Sequence, residues 1–328
     1  MYDVITFGSA TLDIEILMPK ESIKIDSKCV AGKAYYFNLG SKIDTKDMYF
    51  GFGGGGVNAA TTFKKQGFKV AYCGMIGDDI PGKEILEYLD NLGVGTNLIK
   101  KTKLKNTNNS IILDNPKEDR TVLVYRGASE LLSQEDLPGN LQAKWFYLAP
   151  LSGKLSQLTE EIVSMAKNNN IKTAVNFGNC QLRMSKTKLK KILENTDVLI
   201  LNKEEAAILT GIDYKYEEKI IQKLIEIHPG INILTKGKDG VVVTENNKIY
   251  EAKNSKTKVV DETGAGDAFG SGFISGLIRL SDIEYCIKLG LTNSKYAISL
   301  KGATTGLLSA RDNYLVEKEK IKIKVRDI

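Results

Sequence analysis

Short runs of β-branched and aromatic residues alternate along the chain with longer stretches whose apolar positions recur every three or four residues. The short runs predict strands over residues 4–7, 70–73, 145–148, 173–176, 198–201, 231–234 and 241–244. The longer stretches predict helices over 57–66, 81–92, 158–167, 188–194, 204–209, 217–227, 268–280 and 283–300. Gly67 and Gly93 follow directly on two of these patterns and Gly211 follows Thr210 after a third, the expected helix stop. Such alternation implies an α/β fold around a central, mostly parallel sheet flanked by helices.

Two stretches break the alternation. Residues 14–52 hold strand-like pieces at 34–39 and 47–52 and no good helix. Residues 110–113 and 121–125 read as a hairpin around the turn Asn115-Pro116-Lys117-Glu118-Asp119. The segments at about 14–52 and 110–126 are therefore expected to form a small β-sheet lid that leaves the body and closes over a site. No repeat or linker divides the chain, so a single domain over 1–328 is expected.

Composition narrows the classes. Of 328 residues, 42% are hydrophobic and 26% charged, which excludes collagen-like and disordered chains. The net charge of +6 suits an anionic ligand, but the basic residues are dispersed and offer little to nucleic acid. Cys29, Cys73, Cys180 and Cys286 lie far apart and read as buried free thiols in a reducing compartment. The single histidine, His228, sits in a His-Pro-Gly turn and reads as a surface residue, which removes histidine triads and histidine-rich metal sites. No leader pattern and no apolar run of roughly 18 residues is present, so a cytoplasmic protein without a membrane partner is expected.

Two glycine clusters carry the chemistry. The first, Gly51-Phe52-Gly53-Gly54-Gly55-Gly56-Val57-Asn58, opens a helix and satisfies GxGxxG literally. A dinucleotide fingerprint would place an acid at the end of the next strand, which here reads Tyr72-Cys73-Gly74. Consecutive glycines before a helix instead permit close backbone approach to a ligand, with Asn58 placed to hydrogen-bond it. The second cluster, Asp261-Glu262-Thr263-Gly264-Ala265-Gly266-Asp267, also opens an apolar helix. The amides of Gly264, Ala265 and Gly266 can point at one anion, and Asp267 lies in the first turn. Capping alone calls for neither two glycines nor a second aspartate at Asp261. The combination suits phosphoryl transfer, with Asp267 taking a proton from an attacking hydroxyl. No GxxxxGK[ST] occurs, which disfavours a P-loop enzyme.

With Gly-Gly-x-Gly-x-Asn at residues 53–58 and Asp-x-Thr-Gly-Ala-Gly-Asp at 261–267, the chain resembles the PfkB/ribokinase family of carbohydrate and nucleoside kinases. The resemblance runs from Gly8-Ser9-Ala10-Thr11-Leu12-Asp13 to Gly302-Ala303. It implies a ribokinase-like fold, ATP and Mg2+ as cofactors, Asp267 as general base and Gly264, Ala265 and Gly266 as an anion hole. It further implies that Asp13, Gly53, Gly54 and Asn58 hold the acceptor, and that Asn202, Glu205, Thr235, Gly237 and Gly240 border the nucleotide. Glu205 would hold magnesium indirectly. Asp261 and Thr263, with the backbone near Ala297, Leu300, Gly302 and Gly306, match a monovalent-cation (K+) site of some members. Lids of this kind often form a dimer interface, so a homodimer is expected. By their residues alone, Glu205 reads as a solvated helix residue, Asp239-Gly240 as a hairpin turn and Asp13 as a cap.

The chain also departs from ribokinases. Thr11 stands where they carry Asn, Gly55 where they carry Lys, and Gly306 where the cation site usually has Ser. The strand Trp145-Phe146-Tyr147-Leu148-Ala149-Pro150 supplies no sugar-binding acid, so the resemblance does not carry a ribose site. Arg120 and Arg126 are lid residues placed to meet a ligand phosphate, at least one of them on a solvated face. Tyr35, Tyr36, Phe50 and Phe52 are candidates for stacking on a base or for packing the lid. The expected activity is ATP-dependent phosphorylation of a hydroxymethyl group on a small sugar or sugar derivative. A nucleoside kinase of the same fold and a catalytically silent sugar or nucleotide sensor are the alternatives. An oxidoreductase would leave the 261–267 run unexplained.

Overall fold

A computed structural model describes residues 1–29, 31–115 and 120–328 of the chain. Ten strands form the central sheet. Seven run parallel, in the order Ile99–Thr102, Val70–Gly77, Tyr2–Phe7, Ala143–Leu148, Lys172–Asn176, Val198–Asn202 and Ile231–Thr235. Val241–Glu245, Lys248–Ala252 and Ile323–Asp327 extend one edge antiparallel. The strand Val70–Gly77 is buried at every position, as a strand covered on both faces must be. Alternate residues feed opposite layers: Ile5 and Phe146 pack in one apolar cluster, Val4 and Tyr147 in the other.

This order places the site. The Tyr2–Phe7 strand lies between Val70–Gly77 on one side and Ala143–Leu148 on the other, so the connections diverge there. Loops leaving the carboxyl ends of two such strands cannot fill the space between them, and a crevice remains.

The lid is a second sheet, ordered Asp47–Gly53, Thr11–Leu17, Asn108–Asp114, Thr121–Tyr125. Its middle pair is parallel and the outer pairs antiparallel. Residues 116–119 of the expected hairpin turn lie outside the described residues. The expected strand at 34–39 is shorter, Lys33–Tyr35, and pairs with Ile23–Ile25 as a separate ribbon. The second-cluster helix starts earlier than its apolar pattern, at Ala265, and the next helix stops at Ala297 rather than 300.

Two expectations are corrected. His228 is fully buried, with Nδ1 2.9 Å from Asn232 Oδ1 and Nε2 3.0 Å from the Thr196 carbonyl. The His-Pro-Gly turn lies against the sheet's end, where a Cβ on Gly230 would meet the Asp197 carbonyl at 2.4 Å. The cysteines are free, but only Cys73 and Cys286 are buried; Cys29 is half-buried and Cys180 exposed. Among the described residues, no helix is long and apolar enough to cross a membrane.

Candidate active site

The lid strand Asp47–Gly53 runs straight into the helix Gly55–Lys65, turning at Gly54 with φ of 90°. A Cβ at Gly54 would also lie 2.5 Å from the Ser9 carbonyl, so position and conformation both demand glycine. Gly53 is bare for a different reason. The Asp13 carboxylate lies across it, 2.1 Å from where a Cβ would stand. Asp13 is therefore not a cap. It sits mid-strand in the lid, paired in register with Ser110, whose hydroxyl bonds it. Burial pushes its carboxyl up to about 6, the Ser110 bond pulls it back, and the Asp261 charge adds to the rise.

Asp267 is the third residue of the helix Ala265–Arg279, which Gly264 opens at φ of 76°. Its Oδ2 accepts a hydrogen bond from Asn58 Nδ2 at 2.9 Å, joining the two glycine clusters across 209 residues. Burial pushes the Asp267 carboxyl up, and this bond opposes the rise. Asn58 itself is buried, and its Oδ1 has no hydrogen-bond partner among the described residues. The Ala265 amide returns to the Glu262 carbonyl at 3.3 Å and the Ala268 amide to Gly264 at 2.8 Å. The Gly266 and Asp267 amides between them belong to the open end of the helix. A Cβ on Gly266 would meet nothing within 4 Å, so this end faces free space. At Gly55 a Cβ would stand 2.8 Å from the Ala149 Cβ and 3.3 Å from Asp267 Oδ1. Close packing thus explains glycine where ribokinases carry lysine.

The expected nucleotide residues gather at two neighbouring strand ends, Asn202 opposite Thr235 in register. Asn202 and Glu205 form a capping box: the Glu205 amide donates to Asn202 Oδ1 at 2.9 Å, and the Asn202 amide to Glu205 Oε2 at 2.8 Å. Glu205 is thus tied into the helix start instead of being solvated. Burial raises its carboxyl, opposed by the Asn202 bond. Gly237 and Gly240 bracket the turn beyond Thr235 with φ of 54° and 99°. Sequence reasoning missed Lys203 and Lys236, which follow Asn202 and Thr235 and converge on Glu217 at 3.0 and 2.8 Å. Their position just after two strand ends was the available signal.

Asp261 and Thr263 are brought together by a tight turn. The Thr263 amide and hydroxyl donate to Asp261 Oδ1 at 2.8 and 2.6 Å, and the Gly302 amide to Oδ2 at 3.0 Å. Arg120 reaches the same carboxylate from the lid, Nη1 to Oδ1 at 2.5 Å. Burial would raise the Asp261 carboxyl, but the Thr263 and Gly302 bonds and the Arg120 charge hold it below its ordinary range. Arg126 is exposed on the lid. Phe52 packs on Tyr88 at 4.9 Å and Tyr35 on Phe37 at 6.2 Å, while the Tyr36 hydroxyl bonds Asp26. Phe50 is exposed.

A family model described as pfkB family carbohydrate kinase matches residues 20–310. The chain belongs to this family. It is an ATP-dependent kinase by that membership. The kinase is 25% identical over 293 residues to the ribokinase of Haemophilus influenzae, covering 86% of this chain and 92% of that protein. In fold it matches the nucleoside kinase of Methanocaldococcus jannaschii at a TM-score of 0.79 and 23% identity, covering 97% and 99% of the two chains. Against the Arabidopsis thaliana ribokinase solved with ribose and ATP the TM-score is 0.78 at 20% identity, again over 97% and 99%.

Asp13 yields a prediction about pH. Its folded pKa of about 6 lies above the ordinary 3.8, so ionisation costs the folded kinase stability as pH rises through that interval. The associated stability is complete at low pH and lost above about 6. Asp13→Asn should therefore raise the melting temperature at pH 7.5 by more than at pH 4.5, measured calorimetrically against the parent. An equal shift at both pH values would contradict the placement.

Proposed function

We propose that the kinase transfers the terminal phosphoryl group of ATP to a hydroxymethyl group of a small sugar or sugar derivative. The observation that carries this reading is the Asn58–Asp267 hydrogen bond. It puts a half-buried carboxylate at an open helix end and beside the glycine run that continues from the lid. In that position Asp267 takes the proton from the acceptor hydroxyl as it attacks. The Gly264–Gly266 turn and the amides of the helix start face the phosphoryl oxygens, where charge accumulates. Asp13 accepts from acceptor hydroxyls, and Asn58 Oδ1 takes one more. The nucleotide lies along Asn202, Glu205, Thr235, Gly237 and Gly240. Magnesium, held on the nucleotide phosphates and through Glu205, would neutralise phosphate charge.

The polar character of Asp13 and Asn58 favours a polyhydroxylated acceptor, and Phe52 and Tyr35 are engaged with other rings. One observation favours a nucleoside acceptor instead: the exposed Phe50 ring on the lid strand. A panel of sugars, sugar phosphates and nucleosides assayed for ADP release separates the two. Turnover of nucleosides alone would overturn the sugar reading, and no turnover with any acceptor would favour a silent sensor. We place the kinase in a reducing compartment, the cytoplasm, where its free cysteines are at home.

Asp267→Asn keeps size and hydrogen bonding but removes the base. At saturating ATP and acceptor, kcat should fall at least about a hundredfold with both affinities little changed. A kcat near that of the parent would sink the mechanism.

Glu205→Gln retains the capping box, since glutamine serves at that position, and removes one charge. The expected signature is a higher magnesium requirement at unchanged melting temperature. Identical magnesium titrations would restrict Glu205 to its capping role.

The lid edge Thr121–Tyr125 is exposed at every position, Val122, Leu123, Val124 and Tyr125 all among its exposed large apolar side chains. An unpaired apolar edge of this kind invites a second copy of the chain. Sedimentation at micromolar concentration should give the mass of a dimer; a monomer would oppose it.

A further inference from the structure

The resemblance to ribokinases places a monovalent cation at Asp261 and Thr263, and the residues present do not fit one. An ion needs oxygen lone pairs, and those of Asp261 already accept from Thr263, Gly302 and Arg120. Gly306 supplies no hydroxyl ligand and has room for none, since a Cβ there would stand 2.1 Å from the Tyr296 carbonyl. The pairing with Arg120 is sheltered: the Asp261 side chain is 9% exposed and that of Arg120 29%.

We propose that the Arg120 guanidinium is a built-in cation that replaces a monovalent ion at Asp261 and ties the lid to the loop leading into Asp267. Arg120 immediately precedes the lid strand Thr121–Tyr125, and Asp261 opens the segment that ends in the helix carrying Asp267. An ion bound at Asp261 would fix that loop whether the lid were open or shut. A guanidinium delivered by the lid fixes it only when the lid is down. A second pair reinforces the closure with opposite polarity, Lys301 of the body meeting Glu15 of the lid at 2.5 Å. Arg120 is a positioning residue: it acts through Asp261 and touches none of the reacting atoms.

The inference rests on the proposed kinase reaction for its turnover arm only. The experiment compares the parent, Arg120→Met and Arg120→Lys in about 150 mM KCl and in tetramethylammonium chloride at matched ionic strength. The melting temperature of the parent should be the same in both salts, and its turnover should agree within about twofold. In Arg120→Met the acceptor kcat/KM should fall at least about tenfold while the KM for ATP stays within about threefold. Arg120→Lys, which keeps the charge, should recover most of the loss. A parent protein stabilised or activated several-fold by KCl specifically would overturn the proposal, as would parent-like acceptor kcat/KM in Arg120→Met. If no acceptor is turned over, the functional reading fails, and the melting comparison of the parent protein alone decides this one. If Arg120→Met does not fold, Arg120→Lys and the salt response of the parent decide it.

Discussion

A carboxylate with limited access to water must be compensated, and the half-buried Asp267, whose desolvation pushes its carboxyl up, is the constraint on which the rest of the site depends. One neutral donor, Asn58 Nδ2, meets it at 2.9 Å. For Asn58 to stand there, its helix must begin hard against the end of the first strand. A Cβ on Gly56 would lie 2.6 Å from the Tyr72 ring, and one on Gly8 2.6 Å from the Gly56 nitrogen. The four consecutive glycines then have four separate causes. Gly53 makes room for Asp13, Gly54 turns the chain, Gly55 clears Ala149 and Asp267, and Gly56 lets two backbones touch. On the other side, Gly270 lets the Asp267 helix settle on Tyr147, whose hydroxyl would be 2.5 Å from a Cβ there.

The lid is joined to the body by charge as much as by chain. Burial raises the carboxyls of both Asp13 and Glu15, the Asp261 charge adds to each and Asp114 adds at Glu15, so four acids crowd one region. Two cations answer them, Arg120 from the lid and Lys301 from the body, each crossing to the opposite part. Tyr49 of the lid adds a hydroxyl contact to Thr305 at 3.3 Å. Because Asp261 and Glu15 are each only 9% exposed in their side chains, salt screens these pairs weakly. Opening the lid would part Arg120 from Asp261 and Lys301 from Glu15, leaving two sheltered carboxylates without their cations, which biases the assembly toward closure.

Most of the parallel sheet was legible because its strands are continuous apolar runs bounded by turns, and the helices because their patterns hold over several turns. Three of the strands that escaped have another chemistry. Ile99–Thr102 and Ile323–Asp327 are edge strands rich in lysine and arginine, held by one neighbour each. Thr11–Leu17 alternates regularly, with Thr11, Asp13 and Glu15 on one face and Leu12, Ile14 and Ile16 on the other, but its polar face carries two acids, residues depleted in strands. His228 was misplaced because Pro229-Gly230 has the local signature of a surface turn, while the fold folds that turn under the sheet. The placement of Asp267 and Asn58 was written in motifs, but their hydrogen bond was not. Nor was the Arg120–Asp261 pair, since a sequence separation of 141 residues leaves no local trace.

The polar groups of the site divide by how many donors the protein gives them. Asp261 receives bonds from Thr263, Gly302 and Arg120 and is held below its ordinary range. Asp13, in the same acidic region, has the Ser110 hydroxyl against a larger desolvation and moves the other way. Among the described residues Asn58 Oδ1 is left without a partner, and Asp267 has the Asn58 amide. Saturated groups cannot gain much from a ligand, because a new hydrogen bond would only replace an old one. Unsaturated buried groups gain the full cost of their desolvation when a hydroxyl arrives. The fold therefore fixes Asp261 as structure and leaves Asp13, Asn58 and Asp267 short of donors, and it carries that cost in the free protein. Their shortage is what the proposed hydroxyl-bearing acceptor would relieve.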